Sequence, residues 1–152
     1  MNKLMKLSTR GRYGTRLMVE LARNYGKGPT SIAEISRKQD IPIKYLEQLI
    51  IPLKKADLVT SARGPKGGHM LSMPPEKINL WDILVLLESK SSLVDCLLDR
   101  SVCSHTATCP VRPVWGRALK ALVQIFRSTT LRDVSEFQPQ FEGELLPCNE
   151  DN

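Results

Sequence analysis

The side chains best equipped for chemistry fall into three sets. The first is sulfur. Cys96, Cys103 and Cys109 are separated by six and five residues, and Pro110 follows the third directly. Structural zinc sites favour ligand pairs separated by two to four residues. No two of these cysteines are so spaced, so zinc is disfavoured. Three soft thiolates on one irregular loop can instead converge on an iron–sulfur cluster, which is wider than a single ion. The same thiols can equally be buried or redox-active groups, and spacing does not decide between these. His105, inside the loop, is a candidate fourth ligand; its alternative is a surface histidine. Cys148 reads better as a free thiol in a loose tail.

The second set is a polar stripe. Lys44, Glu47, Gln48 and Ile51 recur at i, i+3, i+4 and i+7, which places them on one face of a helix, with Tyr45 beside them. A carboxylate such as Glu47 can accept from a cytosine amino group, and an amide such as Gln48 can pair with adenine. The third set is cationic. Arg63 and Lys66 lie on the turn Arg63-Gly64-Pro65-Lys66-Gly67-Gly68, while Arg10, Arg12 and Arg16 lie near the amino terminus. Such groups hold phosphates, and an arginine on a hairpin tip can enter a minor groove. The glycine-rich turn lacks a following Gly-Lys-Ser/Thr, so it is not a nucleotide phosphate loop. No Ser/His/Asp or Cys/His arrangement has a spacing that supports catalysis, and the chain reads as a non-enzyme. His69 reads as a strand residue facing solvent or phosphate.

These groups need elements to position them. Ser8 or Thr9 can cap a first helix running to Tyr25, with Tyr13, Leu17, Met18, Leu21 and Tyr25 on its inner face. Gly26-Lys27-Gly28-Pro29 ends it. Ser31 and Glu34 fit a capping box for a short second helix. Pro42 opens a third, whose inner stripe is Ile43, Leu46, Leu49 or Ile50, and Leu53. Pro52 should kink or end it. Val59–Ala62 and His69–Ser72 then read as two strands around the basic turn. Asn79 caps a fourth helix to Ser89. Pro113 opens a fifth to Ser128, with Trp115, Ala118, Leu119, Leu122 and Phe126 on one apolar face that Val114, Ala121 and Ile125 widen. A face that wide favours packing against a second subunit. Thr130 starts a last short helix. The fold expected is mainly α: a winged helix-turn-helix with a two-stranded wing and a long carboxyl-terminal dimerisation helix.

Bulk properties agree. Of 152 residues, 41% are hydrophobic and 25% charged, which suits a packed domain. Residues 1–66 hold fourteen Lys/Arg against five Asp/Glu, a net +9; the remainder holds eight against eleven, a net −3, so the net positive charge lies at one end. Such asymmetry points to a polyanionic partner. No secretory signal or spanning segment is visible, so the expected location is cytoplasmic, where thiols stay reduced, with no membrane partner. The expected division is a DNA-binding region over 1–76, a cysteine-bearing sensor loop with dimerisation helices over 77–135, and a flexible acidic tail over 136–152.

Four motifs together resemble one known group. Leu7-Ser8-Thr9-Arg10-Gly11-Arg12-Tyr13-Gly14, Tyr45-Leu46-Glu47-Gln48, the Arg63–Gly68 turn and the three-cysteine loop are similar to those of the IscR-type winged-helix transcription regulators. That group also includes nitric-oxide and cysteine-metabolism regulators. The resemblance covers about residues 6–135. It implies a homodimer held by the long fifth helix on a near-palindromic double-stranded operator, to which the polar stripe and cationic set above bring the expected DNA contacts Lys44, Tyr45, Glu47, Gln48, Arg63, Lys66, Arg10 and Arg12. It also implies an iron–sulfur cluster, 2Fe-2S or 4Fe-4S, on Cys96, Cys103 and Cys109, tuning DNA affinity to redox state, nitric oxide or iron supply. The alternative within the group is a regulator without a cluster, controlled by thiol oxidation or a protein partner. This chain departs from the group at the fourth ligand. Arg112 stands where some members carry a histidine, and Arg12 where others carry an acidic residue.

Overall fold

Most helices begin where the sequence offers an oxygen to cap the first turn. The computed structural model describes residues 7–88 and 92–137. Ser8 Oγ accepts from the Gly11 N–H at 3.0 Å and opens α1 (Thr9–Arg23). Ser31 Oγ accepts from the Glu34 N–H at 3.2 Å and opens α2 (Ile32–Gln39). Only half of the expected capping box forms there, because the Glu34 carboxylate pairs with Lys38 Nζ at 2.8 Å, one turn onward. Complete boxes open α4 (Leu80–Leu87), from Asn79 and Asp82, and α6 (Leu131–Glu136), from Thr130 and Asp133. Between these lie α3 (Ile43–Lys55), β1 (Val59–Ala62), β2 (Gly68–Leu71) and α5 (Arg112–Ser128).

Several boundaries differ from the sequence expectation. α3 passes through Pro52 and ends at Lys55. Pro52 forfeits one helical hydrogen bond, but Leu49, Ile50 and Leu53 are buried on both sides of it and hold the helix together. Ile43 is exposed rather than inward, because Ile41, in the preceding connection, already fills the core at that end. Tyr25 lies beyond the end of α1 and is exposed. β2 starts one residue earlier than expected, and α4 ends two residues earlier than expected.

The buried set is continuous from Leu17, Met18 and Leu21 of α1, through Ile35 and Leu46, Leu49, Ile50 and Leu53, to Ile83, Leu87 and Leu131. The two strands pair antiparallel, Val59 opposite Leu71 and Ala62 opposite Gly68. Thr30 extends this ladder: its N–H donates to the His69 carbonyl at 2.9 Å and its carbonyl accepts from the His69 N–H at 2.8 Å. The wing is thereby tied to the segment that leads into α2. The approach requires glycine at 68, where a Cβ would stand 2.4 Å from the Thr30 carbonyl oxygen.

No residue of α5 is buried. Leu119, Leu122 and Phe126 are half-buried, whereas Val114, Trp115, Ala118, Ala121 and Ile125 are exposed. Among the described residues no helix is long and apolar enough to cross a membrane. The expected acidic tail, apart from Glu136 and Phe137, lies outside the described residues, as does Cys148.

Candidate nucleic-acid interface

The turn between α2 and α3 is held from three sides. Asp40 takes the left-handed conformation that closes α2 (φ 51°, ψ 51°), which aspartate tolerates better than most side chains. Ser36 Oγ donates to the Ile41 carbonyl at 2.6 Å. From α1, Arg16 Nε donates to Gln39 Oε1 at 2.8 Å and Arg16 Nη2 donates to the Gln39 carbonyl. Gln39 Nε2 in turn donates to Glu20 Oε1 at 2.8 Å. Glu20 is only 6% exposed and also receives Arg23 Nη1 at 3.1 Å and Lys38 Nζ at 3.7 Å. A buried carboxylate is tolerable only when so satisfied. Arg16, expected to hold phosphate, is thus engaged in fixing the turn. Glu20 and Gln39 escaped sequence reasoning. Their signal is a lone carboxylate beside Leu17, Met18 and Leu21 on the apolar face of α1.

The turn presents α3. Lys44, Glu47 and Gln48 are all exposed, and none has a polar side-chain partner among the described residues. Ile51 continues their stripe and is also exposed. Tyr45 differs from the other three. It is half-buried, its ring lies edge-on to Tyr13 at 5.7 Å and 83°, and the Arg16 guanidinium stands 5.7 Å over Tyr13. Such edge-to-face aromatic packing is favourable. Tyr45 therefore braces α3 against α1.

The wing carries Arg63 and Lys66, both exposed. Gly64 has φ +110°, a left-handed value that favours glycine. The Gly67 N–H donates to the Gly64 carbonyl at 2.9 Å. Behind the tip, His69 is half-buried with its Nδ1 2.9 Å from Ser61 Oγ. Burial holds its pKa below the ordinary imidazole value, and the nearby Lys54 charge pushes it the same way. At the start of α1, Arg10 and Arg12 are exposed, and Arg12 Nη2 reaches Thr9 Oγ1 at 3.4 Å.

The cysteine segment is built differently. Two 3-10 turns, Asp95–Leu97 and Arg100–Val102, bracket its first part. Cys96 and Cys109 are half-buried and Cys103 is exposed. Arg112 Nε donates to the Cys96 carbonyl at 3.2 Å, and the buried Thr106 donates through Oγ1 to the Cys103 carbonyl at 2.7 Å. A cavity of about 490 Å³ opens beside Cys103 with Arg100 and Arg112 on its wall. Soft thiolates and two guanidinium groups suit an anionic iron–sulfur cluster in kind. In placement, no three of His, Cys, Asp and Glu among the described residues gather closely enough to hold a single metal ion. His105 is exposed.

Comparison with known proteins gives a consistent result. Residues 7–136 match the family model described as "Rrf2: Iron-dependent Transcriptional regulator". Over 145 residues the chain is 39% identical to Protein rrf2 of Nitratidesulfovibrio vulgaris, covering 95% of this chain and 93% of that one. It is 36% identical over 149 residues to the HTH-type transcriptional regulator IscR of Cereibacter sphaeroides, covering 95% and 92%. The solved structure of CymR, the global cysteine regulator of B. subtilis, superposes with a TM-score of 0.75 at 39% identity, covering 88% of this chain and 98% of that one.

Proposed function

Because this chain belongs to the Rrf2 family of transcriptional regulators, we propose that it reads duplex DNA as a homodimer. Each subunit lays the Lys44–Gln48 edge of α3 in a major groove and its wing against the neighbouring minor groove. The observation that carries this reading is the exposed edge of Lys44, Glu47 and Gln48, without polar side-chain partners among the described residues, on a helix whose approach is fixed by Arg16, Gln39 and Glu20. Gln48 suits adenine and Glu47 suits cytosine, because the major groove presents a distinct donor and acceptor pattern for each base pair. Arg63 suits a narrow minor groove. Lys66, Arg10 and Arg12 suit phosphates, which set register without reading sequence. Tyr45 acts from behind, holding α3 at its angle.

Selection of bound duplexes from a random pool tests this reading directly. Gln48→Ala should relax preference at one base position and cost about 1–3 kcal/mol there. Arg63→Ala should weaken the selected site more than random DNA. Affinity for the selected site that ignored both substitutions would overturn the assignment.

Two chemistries suit the cysteine segment as the source of the signal. The family's description as iron-dependent supports an iron–sulfur cluster held by Cys96, Cys103 and Cys109, whose charge would respond to redox state, nitric oxide or iron supply. The lack of any gathering of three metal-ligating side chains among the described residues, and the likeness to a global cysteine regulator, support control by thiol oxidation or a protein partner instead. Anaerobically purified protein decides between them. Brown protein whose visible absorbance is lost in Cys103→Ala supports the cluster; colourless protein with intact operator binding supports the thiols.

A further inference from the structure

Glu88 stands eighty residues from Ser8, the cap of α1, yet it completes that helix. One carboxylate oxygen, Oε1, accepts from the Ser8 backbone N–H at 3.0 Å and from Ser8 Oγ–H at 3.1 Å. Ser8 Oγ then accepts from the Gly11 N–H. A carboxylate there meets the positive end of the α1 dipole and two donors that the helix itself cannot satisfy. The fit is tight because α1 offers glycines to the end of α4. A Cβ at position 11 would stand 2.1 Å from Glu88 Oε1, and one at position 14 would stand 2.0 Å from Leu87 Cδ1. Arg10 and Arg12, both exposed, project from the turn that Glu88 caps. Glu88 is also the residue at which the chain leaves α4 toward the cysteines. It therefore ties the first turn of α1 to the stretch that carries the thiols.

We propose that Glu88 is a positioning residue for DNA binding: through Ser8 it holds the first turn of α1 so that Arg10 and Arg12 reach the phosphate backbone. The claim rests on the DNA-binding reading above. A bystander carboxylate makes the opposite forecast, since removing a negative charge beside two arginines would strengthen DNA binding. The two are separable because glutamine keeps an acceptor for Ser8 but loses the charge.

The test uses the full chain and the duplex it selects, with affinity measured across a salt series. Every phosphate that the protein ceases to neutralise lowers the slope of log K against log salt by about 0.9. Glu88→Ala should weaken binding and reduce the slope by about two to four in the dimer, as one or both arginines of each subunit disengage. Glu88→Gln should retain most of the wild-type affinity and slope. Gly11→Ala should behave like Glu88→Ala, although alanine favours a helix over glycine, because its Cβ displaces the carboxylate. Circular dichroism and dimer mass should match the wild type, and Gly11→Ala carries the test should Glu88→Ala fail to fold. Weakened binding in Glu88→Ala or Gly11→Ala with retention in Glu88→Gln supports the proposal; any other pattern overturns it. Wild-type protein that selects no duplex, or a salt slope indifferent to Arg10→Ala and Arg12→Ala, would instead sink the reading beneath it.

Discussion

His69 shows how a single side chain in the wing couples burial to pH. Its folded pKa is held below the ordinary 6.5, first by burial and then by Lys54. As pH falls, the unfolded chain therefore takes up the proton before the folded one does. The contribution of neutral His69 is fully present above the unfolded pKa and is lost as pH falls through it and below. The thermal midpoint should drop between about pH 7.5 and pH 5.5. His69→Gln should flatten that share of the drop in a melting series; an unchanged profile would mean that the wing opens before the domain unfolds. Glu20 works at the same scale through hydrogen bonds. Glu20→Ala leaves Gln39 Nε2 without its acceptor at 2.8 Å. The change should cost roughly 1–3 kcal/mol in urea unfolding. Because Gln39 anchors the turn before α3, site preference should weaken along with stability.

Helices were legible where short-range rules govern them. The oxygens of Ser8, Ser31, Asn79 and Thr130 mark four starts that the structure uses. The hairpin followed from glycine and proline chemistry at residues 63–68. What escaped was set by distant parts of the chain. Pro52 is tolerated because core burial on both sides outweighs one missing hydrogen bond, and Ile43 is displaced because Ile41 comes first. The candidate DNA-facing side chains were legible as exposed polar positions, whereas the bracing of Tyr45 by Tyr13 and the diversion of Arg16 to Gln39 depend on how α1 crosses α3. The bridge from Thr30 to His69 was equally invisible locally, and it makes the wing sensitive to one glycine. Gly68→Ala would press a Cβ against backbone atoms of Thr30 and Ser31, which cannot rotate aside. Overpacking of this kind costs about 1–3 kcal/mol. The variant should melt earlier and bind the selected duplex more weakly, and it should do so with the Gln48 base preference intact, since α3 itself is untouched.

A single copy of the chain leaves α5 unfinished. Val114, Ala118, Ala121 and Ile125 fall at i, i+4, i+7 and i+11, and all four are exposed, with Ile125 at 58% and Val114 at 53%. The adjoining row, Trp115, Leu119, Leu122 and Phe126, is half-buried apart from Trp115. The stripe turned to solvent thus joins the flank that the sequence presents, Val114, Ala121 and Ile125, to Ala118 of the main apolar face, with two alanines at its centre to admit a close neighbour. An exposed apolar stripe on an otherwise charged surface marks an interface, and a second α5 meeting the first about a two-fold axis is the simplest closed solution. Ile125→Glu should then yield a folded monomer by light scattering, with the helical spectrum retained. A monomer holds one half-site at a time, so affinity for a two-half-site duplex should fall by about 10²–10⁴-fold. Affinity for an isolated half-site should stay near that of the wild type. A variant that remained dimeric at micromolar concentration, or that bound both duplexes equally weakly, would place the subunit interface elsewhere on the chain.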